Sequence, residues 1–205
     1  MTRVIAGSAR GRRLEVPVSG TRPTADRVRE AMFSSLAAML SEDGIAWRDL
    51  HVLDGYAGSG ALGLEALSRG AASATFVEHR AAAVAVIRRN VEAIGVRGAD
   101  VVTADLAVAA RRARTGAPCG LVLLDPPYEV PSETMARELG LLCEHGWLAA
   151  EARVVIERPK SDHASPLPPG WMLVKHRAYG DTALWYGRRM PDSGAPQSNQ
   201  EASDA

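Results

Sequence analysis

Short hydrophobic runs alternate with longer amphipathic segments from about residue 50 onward. The short runs predict β-strands around His51–Asp54, Ala74–Glu78, Asp100–Ala104, Leu121–Leu124 and Val154–Glu157. The amphipathic segments predict helices over 61–69, 81–94, 106–114 and 133–144, and a glycine follows each of the first two. Because strands alternate with helices, we predict an α/β fold with a mostly parallel sheet covered by helices on both faces.

Both ends of the chain contain a segment that predicts a β-hairpin. Near the N-terminus, Arg3–Ala6 and Leu14–Val16 flank a turn rich in Gly, Ser and Arg at residues 8–11. Near the C-terminus, Trp171–His176 and Thr182–Tyr186 flank a turn at 179–181. The second hairpin brings the predicted sheet to seven strands, whereas the first is a small separate ribbon.

A further helix is predicted between the N-terminal hairpin and the sheet. Its apolar residues recur every four positions, at Val28, Met32, Leu36 and Leu40. Either Thr24 or Asp26 can cap its N-terminus. We therefore divide the chain into a basic hairpin (1–20), one α/β domain (21–189) and an acidic tail (190–205) whose polar composition predicts disorder.

The composition fits a globular domain with a small appendage. The 205 residues are 46% hydrophobic and carry a formal net charge of zero. Neither an uncharged apolar run long enough to span a membrane nor an apolar leader is present, so we expect a cytoplasmic protein. Cys119 and Cys143 do not have the spacing of metal ligands, and we expect no metal site.

Charge is distributed unevenly despite the neutral total. The first fourteen residues contain no acid, and their basic residues are Arg3, Arg10, Arg12 and Arg13. Clustered arginines fit contacts to nucleic-acid phosphates. A solvated basic turn has the same composition, so the charge pattern alone leaves both interpretations open.

A glycine-rich turn follows the first predicted strand of the sheet, within Val52–Gly63. Gly55, Gly58 and Gly60 allow the backbone to approach a ligand at the carboxyl edge of the sheet. The spacing Gly58-x-Gly60-x-x-Gly63 also matches the dinucleotide fingerprint, so the glycines alone leave a nicotinamide-dependent dehydrogenase open. Asp54 favours S-adenosylmethionine, because a carboxylate there would attract a cationic amino-acid end and repel a pyrophosphate.

Two further acids stand at the ends of successive predicted strands. Glu78 is placed to accept hydrogen bonds from ribose hydroxyls, and Asp105 from an adenine amino group. Taken singly, each acid is as well explained as a solvated loop carboxylate or a helix cap. Together with Asp54 they form a set along one edge of the sheet, which favours a cofactor site.

The strand Leu121–Leu124 delivers the motif Asp125-Pro126-Pro127-Tyr128 to the same edge. If the Asp125 side chain and the Pro126 carbonyl accept the hydrogens of a base amine, its nitrogen can direct a lone pair at the methyl group of the cofactor. Pro127 adds rigidity to the turn, and Tyr128 can stack on the base. The motif therefore predicts methylation of an exocyclic amine, with residues 125–128 as the reaction centre.

Three alternatives stay open at this point. A dehydrogenase would need a positioned His or Lys for proton transfer, and this region contains no candidate. An adenine-N6 methyltransferase of DNA or RNA would use the same tetrapeptide, but about 205 residues leave little room for a separate DNA-recognition domain. A noncatalytic RNA-binding or assembly factor would need neither Asp125 nor the glycine turn.

The chain closely resembles the RsmD family of bacterial methyltransferases, which act on the N2 amine of one guanine in 16S ribosomal RNA. The resemblance runs from about Arg3 to Arg188, and its most specific segment is Thr21–Phe33. It implies a Rossmann-like S-adenosylmethionine-dependent methyltransferase fold and a substrate within the 30S subunit or an assembly intermediate. A monomer is expected.

The same resemblance implies roles for residues near the N-terminus. Arg22 and Thr24 are expected to close over the cofactor. Residues 26–29 are expected to border the cofactor pocket. The four arginines of the hairpin are expected to contact RNA. One departure from the family pattern is His79, which follows Glu78 where an acid is common.

Overall fold

The computed structural model describes residues 2–17 and 26–191. Within these residues the strands are β1 (Thr2–Arg3), β2 (Arg13–Leu14), β3 (His51–Asp54), β4 (Ser73–Glu78), β5 (Ala99–Thr103), β6 (Cys119–Leu124), β7 (Leu148–Pro159), β8 (Trp171–Tyr179) and β9 (Thr182–Arg189). The helices are α1 (Asp26–Glu42), α2 (Ala61–Ser68), α3 (Ala81–Ile94), α4 (Leu106–Ala110) and α5 (Ser132–Glu144). None of these helices is long and apolar enough to cross a membrane.

The central sheet has seven strands in the order β5-β4-β3-β6-β7-β9-β8. Strands β3 to β7 are parallel to their neighbours in this set, whereas β9 runs antiparallel to both β7 and β8. The strand order reverses between β3 and β6, and doubly wound folds bind ligands at such a point. The predicted Rossmann-like methyltransferase fold, with its C-terminal hairpin at the sheet edge, is therefore confirmed.

Helices cover both faces of the sheet because its central strands are apolar on both sides. One face packs against α1, α2 and α3, and its buried residues include Met32, Leu64 and Ile87. The other face packs against α4 and α5 through residues such as Leu106 and Leu139. We call these the α1 face and the α5 face.

The predicted N-terminal hairpin forms, but its strands are shorter than expected. Thr2 pairs with Leu14 and Arg3 with Arg13. The ladder ends there because the amides of Ile5 and Ala6 donate to the Glu65 carboxylate of α2, at 2.7 and 3.1 Å, and not to a facing strand. The predicted strand extents, 3–6 and 14–16, are therefore wrong, and the hairpin is docked on α2.

Helix α4 is also shorter than the predicted 106–114. Beyond Ala110 the backbone contacts the turn that precedes β7. There, Trp147 Nε1 donates a hydrogen bond to the Arg112 carbonyl at 2.8 Å. The Arg114 guanidinium also lies 5.0 Å from the centre of the Trp147 ring. These contacts join residues far apart in sequence, and they outweigh the helical tendency of residues 111–114.

Helix α1 begins at Asp26, and the four apolar residues that predict it are all buried. Asp26 is the first helical residue and forms an ion pair with Arg29 at 2.9 Å. Thr24, the other predicted cap, lies outside the described residues.

Candidate functional site

A cleft of about 960 Å³ opens at the carboxyl ends of the central strands, where the strand order reverses. Its walls contain the predicted residues Gly55, Gly58, Glu78, Asp105, Asp125, Pro126, Pro127 and Tyr128. Residues from the N-terminal hairpin, α1, α2, the end of β7 and the C-terminal hairpin also line it. A cleft of this size can hold a nucleoside-sized cofactor together with a flipped base.

The glycine loop (residues 55–60) connects β3 to α2 and forms one wall of the cleft. Gly58 has a φ of 55°, which a residue with a side chain adopts rarely, and its amide donates to Glu78 at 3.0 Å. A Cβ on Gly55 would lie 2.4 Å from the Leu124 side chain. Gly60 stands at the N-cap of α2, with Phe76 and Ile87 behind it.

Asp54 stabilises the junction between the glycine loop and α2. Its side chain is 1% exposed, and one carboxylate oxygen accepts from the Gly63 amide at 2.9 Å. The other oxygen, Oδ1, has no hydrogen-bond partner among the described residues. Burial raises the pKa of Asp54 to about 7, the Gly63 hydrogen bond opposes the shift, and the charges of Asp125 and Glu78 add to it. Asp54 therefore holds the start of α2 beneath the cleft.

Glu78 and Asp105 differ in how firmly they are held. Glu78 is 5% exposed, and its oxygens accept from the amides of Gly58 and Arg80, at 3.0 and 2.8 Å. The side chain of Asp105 is 68% exposed. His79 Nδ1 lies between the two carboxylates, 3.4 Å from Glu78 and 3.6 Å from Asp105.

The Asp-Pro-Pro-Tyr loop (residues 125–128) leaves the end of β6. Residues 125–127 belong to no helix or strand, and a turn follows in which the Val130 amide donates to the Pro127 carbonyl at 3.0 Å. The Tyr128 hydroxyl lies 3.1 Å from Thr182 Oγ1 at the start of β9. This contact ties the predicted stacking residue to the C-terminal hairpin.

A buried arginine holds the segment that follows this loop. Arg158, near the end of β7, donates to the Val130 carbonyl at 2.6 Å and pairs with Asp162 at 2.9 Å. Ser132 at the start of α5 donates to the same carboxylate at 2.6 Å. Burial alone would raise the pKa of Asp162, but these hydrogen bonds lower it overall.

The N-terminal hairpin and α1 border the cleft through Thr2, Val28 and Arg29. The buried Arg29 guanidinium donates to the Arg3 carbonyl and to Asp26. The Arg3 side chain is 66% exposed, and the other predicted RNA contacts, Arg10, Arg12 and Arg13, are also exposed. Arg22 and Thr24, predicted to close over the cofactor, lie outside the described residues.

Several residues of this region were not predicted from the sequence. Tyr56 lines the cleft and donates to Glu138 of α5 at 2.7 Å, and burial raises the pKa of both side chains. Tyr179, Asp181 and Thr182 enter the cleft from the C-terminal hairpin. Glu157 is a further lining residue, and its position at the end of a predicted strand was a usable signal.

Comparisons with known proteins find relatives over most of the chain. Residues 2–188 match the family described as conserved hypothetical protein 95. The chain is 38% identical over 182 residues to ribosomal RNA small subunit methyltransferase D of Escherichia coli strain K12, covering 88% of this chain and 86% of that protein. It is 34% identical over 181 residues to the protein of the same name from Haemophilus influenzae, covering 87% of this chain and 89% of that protein.

A solved structure shows the same fold. The putative methyltransferase yhhF from Escherichia coli superimposes with a TM-score of 0.76 at 36% identity, covering 93% of this chain and 98% of that one. The residues matched by the family, 2–188, include the N-terminal hairpin and all of the sheet except the last residue of β9.

Proposed function

The chain belongs to the conserved hypothetical protein 95 family, as its resemblance to the RsmD family implies, and on that premise we propose its reaction. The protein transfers a methyl group from S-adenosylmethionine to the N2 amine of a guanine in 16S ribosomal RNA. The observation that carries this proposal is the meeting of the Asp-Pro-Pro-Tyr loop, Glu78 and the glycine loop in one cleft. The names of the relatives support a small-subunit ribosomal RNA substrate.

The residues present fit the cofactor. Gly58 exposes backbone to the cleft, and a carboxylate at the end of β4, as in Glu78, suits ribose hydroxyls. Asp105 is exposed to accept from the adenine amine. When ionised, Asp54, whose Oδ1 has no hydrogen-bond partner among the described residues, places a buried negative charge under the loop, which attracts a cationic ligand. S-adenosylmethionine, when bound, supplies the electrophilic methyl group.

The Asp-Pro-Pro-Tyr loop prepares the base amine. Asp125 and the Pro126 carbonyl accept its two hydrogens, which lets the nitrogen lone pair leave the plane of the ring. Tyr128 stacks on the base and is held by Thr182. After transfer the amine nitrogen is positively charged, and its proton is released to Asp125 or water.

The arginines of the N-terminal hairpin are proposed to contact RNA phosphates beside the cleft. Arg3, Arg10, Arg12 and Arg13 are exposed, while the same hairpin brings Thr2 into the cleft wall. Because the net charge of the chain is zero, its nonspecific affinity for RNA should be low. We therefore propose a 30S particle or assembly intermediate as the substrate, in preference to naked RNA.

Nucleoside mapping tests the proposal. In 16S ribosomal RNA from cells lacking the protein, one 2-methylguanosine should be missing, and expression of the wild type should restore it. RNA with unchanged modification would refute the substrate, and loss of an N6-methyladenosine would favour the adenine enzyme. Calorimetric titration of the purified protein should show binding of S-adenosylmethionine, whereas binding of NAD instead would overturn the cofactor assignment.

A further inference from the structure

Glu157 is a buried acid in the cleft to which the reaction above assigns no role. It lies at the end of β7, is 4% exposed and lines the cleft together with Asp125. Burying a carboxyl group costs free energy unless other groups stabilise it, so acids at such positions are seldom incidental.

The sheet places Glu157 beside Asp125. Leu123 pairs with Val155 and Leu124 with Ile156 in the parallel ladder between β6 and β7. Asp125 and Glu157 directly follow this last pair along the two chain segments, and both line the cleft.

Glu157 is on the α1 face of the sheet. Leu123 and Val155 belong to the core under this face. Since side chains alternate along a strand, Glu157, two residues after Val155 on β7, is directed to the same face. Val28 and Arg29 of α1 border the cleft there, and Asp125 lines the same cleft just beyond the end of β6. The cleft therefore contains two acceptors that follow neighbouring strands at one edge of the sheet.

Such a pair matches one base better than the others. On its Watson–Crick edge, guanine presents an N1–H donor directly beside its N2 amine. Adenine and cytosine present a ring-nitrogen acceptor beside their amine. A second carboxylate next to the amine-binding Asp125 would attract the guanine edge and repel the lone pair of the other two.

We propose that Glu157 accepts the N1–H of the target guanine while Asp125 accepts a hydrogen of its N2 amine, which makes Glu157 a specificity-determining residue. This inference rests on the proposed function. A buried acceptor at this position discriminates between bases, because a base that presents a ring-nitrogen lone pair in place of N1–H cannot donate to it and is repelled by it.

Base analogues test the proposal without altering the protein. The methylated guanine is replaced by 6-thioguanine, which keeps N1–H and weakens the acceptor at position 6, or by 2-aminopurine, which keeps the amine and lacks N1–H. We expect the wild type to methylate the 6-thioguanine RNA with a kcat/KM at least tenfold above that for 2-aminopurine. Equal rates would overturn the role of Glu157. Failure to methylate the guanine RNA itself would instead overturn the proposed function.

The variant Glu157→Gln tests whether Glu157 causes the discrimination between guanine and 2-aminopurine. Glu157→Gln keeps the shape and can offer an N–H to the ring nitrogen of 2-aminopurine, so the ratio of kcat/KM for guanine over 2-aminopurine should fall at least tenfold. Glu151→Gln, on the same strand at a partly exposed ion pair with Arg188, should leave the ratio unchanged. Binding of S-adenosylmethionine by both variants verifies that they are folded. An unchanged ratio in folded Glu157→Gln would refute the inference.

Discussion

The two loops that meet in the cleft are held in different ways. The glycine loop is supported by acids close to it in sequence, Asp54 at its start and Glu78 at the end of the next strand. The Asp-Pro-Pro-Tyr loop and the turn after it are supported from later strands, by Thr182 through Tyr128 and by Arg158 through Val130. The glycine-loop part of the cofactor half is therefore built within one βαβ unit, whereas the substrate half depends on the C-terminal part of the sheet.

This difference predicts that the two halves can be damaged separately. Changes at the supports of the glycine loop should weaken cofactor binding. Changes at the Asp-Pro-Pro-Tyr loop and its supports should slow methyl transfer while cofactor binding is retained. A variant that affected both properties equally would show that the loops act as one unit.

The largest effect is expected for Asp125→Ala. Without this carboxylate the amine nitrogen loses a hydrogen-bond acceptor in the transition state, so kcat should fall by roughly 1,000-fold or more. The affinity for S-adenosylmethionine, measured by calorimetry, should change by less than about threefold, since Asp125 lies in the substrate half. Asp100→Ala, at an exposed position of β5, is the control. Retained turnover would refute the mechanism.

The next largest effect concerns the pH dependence of stability through Asp54. Its pKa is raised from 3.8 in the unfolded chain to about 7 in the fold. The folded state therefore binds this proton more tightly, and the contribution of Asp54 to the free energy of unfolding should decrease as pH rises from about 4 to about 7. At about 1.4 kcal/mol per pKa unit, the decrease is at most about 4 kcal/mol.

Asp54→Asn removes this titration and keeps an oxygen that can accept from Gly63. Denaturant unfolding without cofactor, at several pH values, should show the wild type losing stability relative to the variant as pH rises through this range. Parallel curves for the two proteins would contradict the assignment of the titrating group to Asp54.

Arg158→Met tests the support of the Asp-Pro-Pro-Tyr loop. The substitution leaves Asp162 without its arginine partner and the Val130 carbonyl without its donor. Losing the hydrogen bonds of this buried guanidinium should cost about 2 kcal/mol in the free energy of unfolding. At temperatures where the variant is folded, kcat should fall more than the affinity for S-adenosylmethionine. Arg137→Met on the exposed side of α5 is the matched control, and an equal loss there would contradict the prediction.

A smaller effect is expected for Glu78→Gln, which changes the cofactor half of the site. Glutamine keeps one acceptor but loses the charge that strengthens hydrogen bonds from Gly58, Arg80 and the cofactor ribose. Calorimetry should show S-adenosylmethionine binding weakened by about 10- to 100-fold, or roughly 1.4–2.7 kcal/mol. At saturating cofactor, kcat should be nearly unchanged. A large loss of kcat would show that Glu78 also acts on the substrate half.

The same contrast explains what could be predicted from the sequence. The alternating pattern predicts the strands, and acids that follow strands must meet at one edge of a parallel sheet, which brings Glu78, Asp105 and Asp125 to one cleft. The contacts of Arg158 with Val130 and of Thr182 with Tyr128 leave no local pattern, because each joins segments separated by tens of residues. The short extent of β1 and β2 is equally hidden, since Glu65 of α2 accepts from the amides of Ile5 and Ala6, and Asn90 of α3 accepts from the amide of Glu15.

The smallest effect is expected for Thr182→Val, which probes the link between the C-terminal hairpin and the substrate half. The substitution keeps the shape of the side chain and removes the hydroxyl that lies 3.1 Å from the Tyr128 hydroxyl. A neutral hydrogen bond contributes about 0.5–1.5 kcal/mol, so kcat/KM for RNA should fall by roughly 2- to 12-fold.

Tyr128→Phe should lower kcat/KM by a similar factor. The double variant should lower it by no more than either change alone, because both substitutions remove the same bond. Additive losses in the double variant would show that Thr182 acts on the base by another route, and an altered affinity for S-adenosylmethionine would show that the hairpin reaches the cofactor half as well.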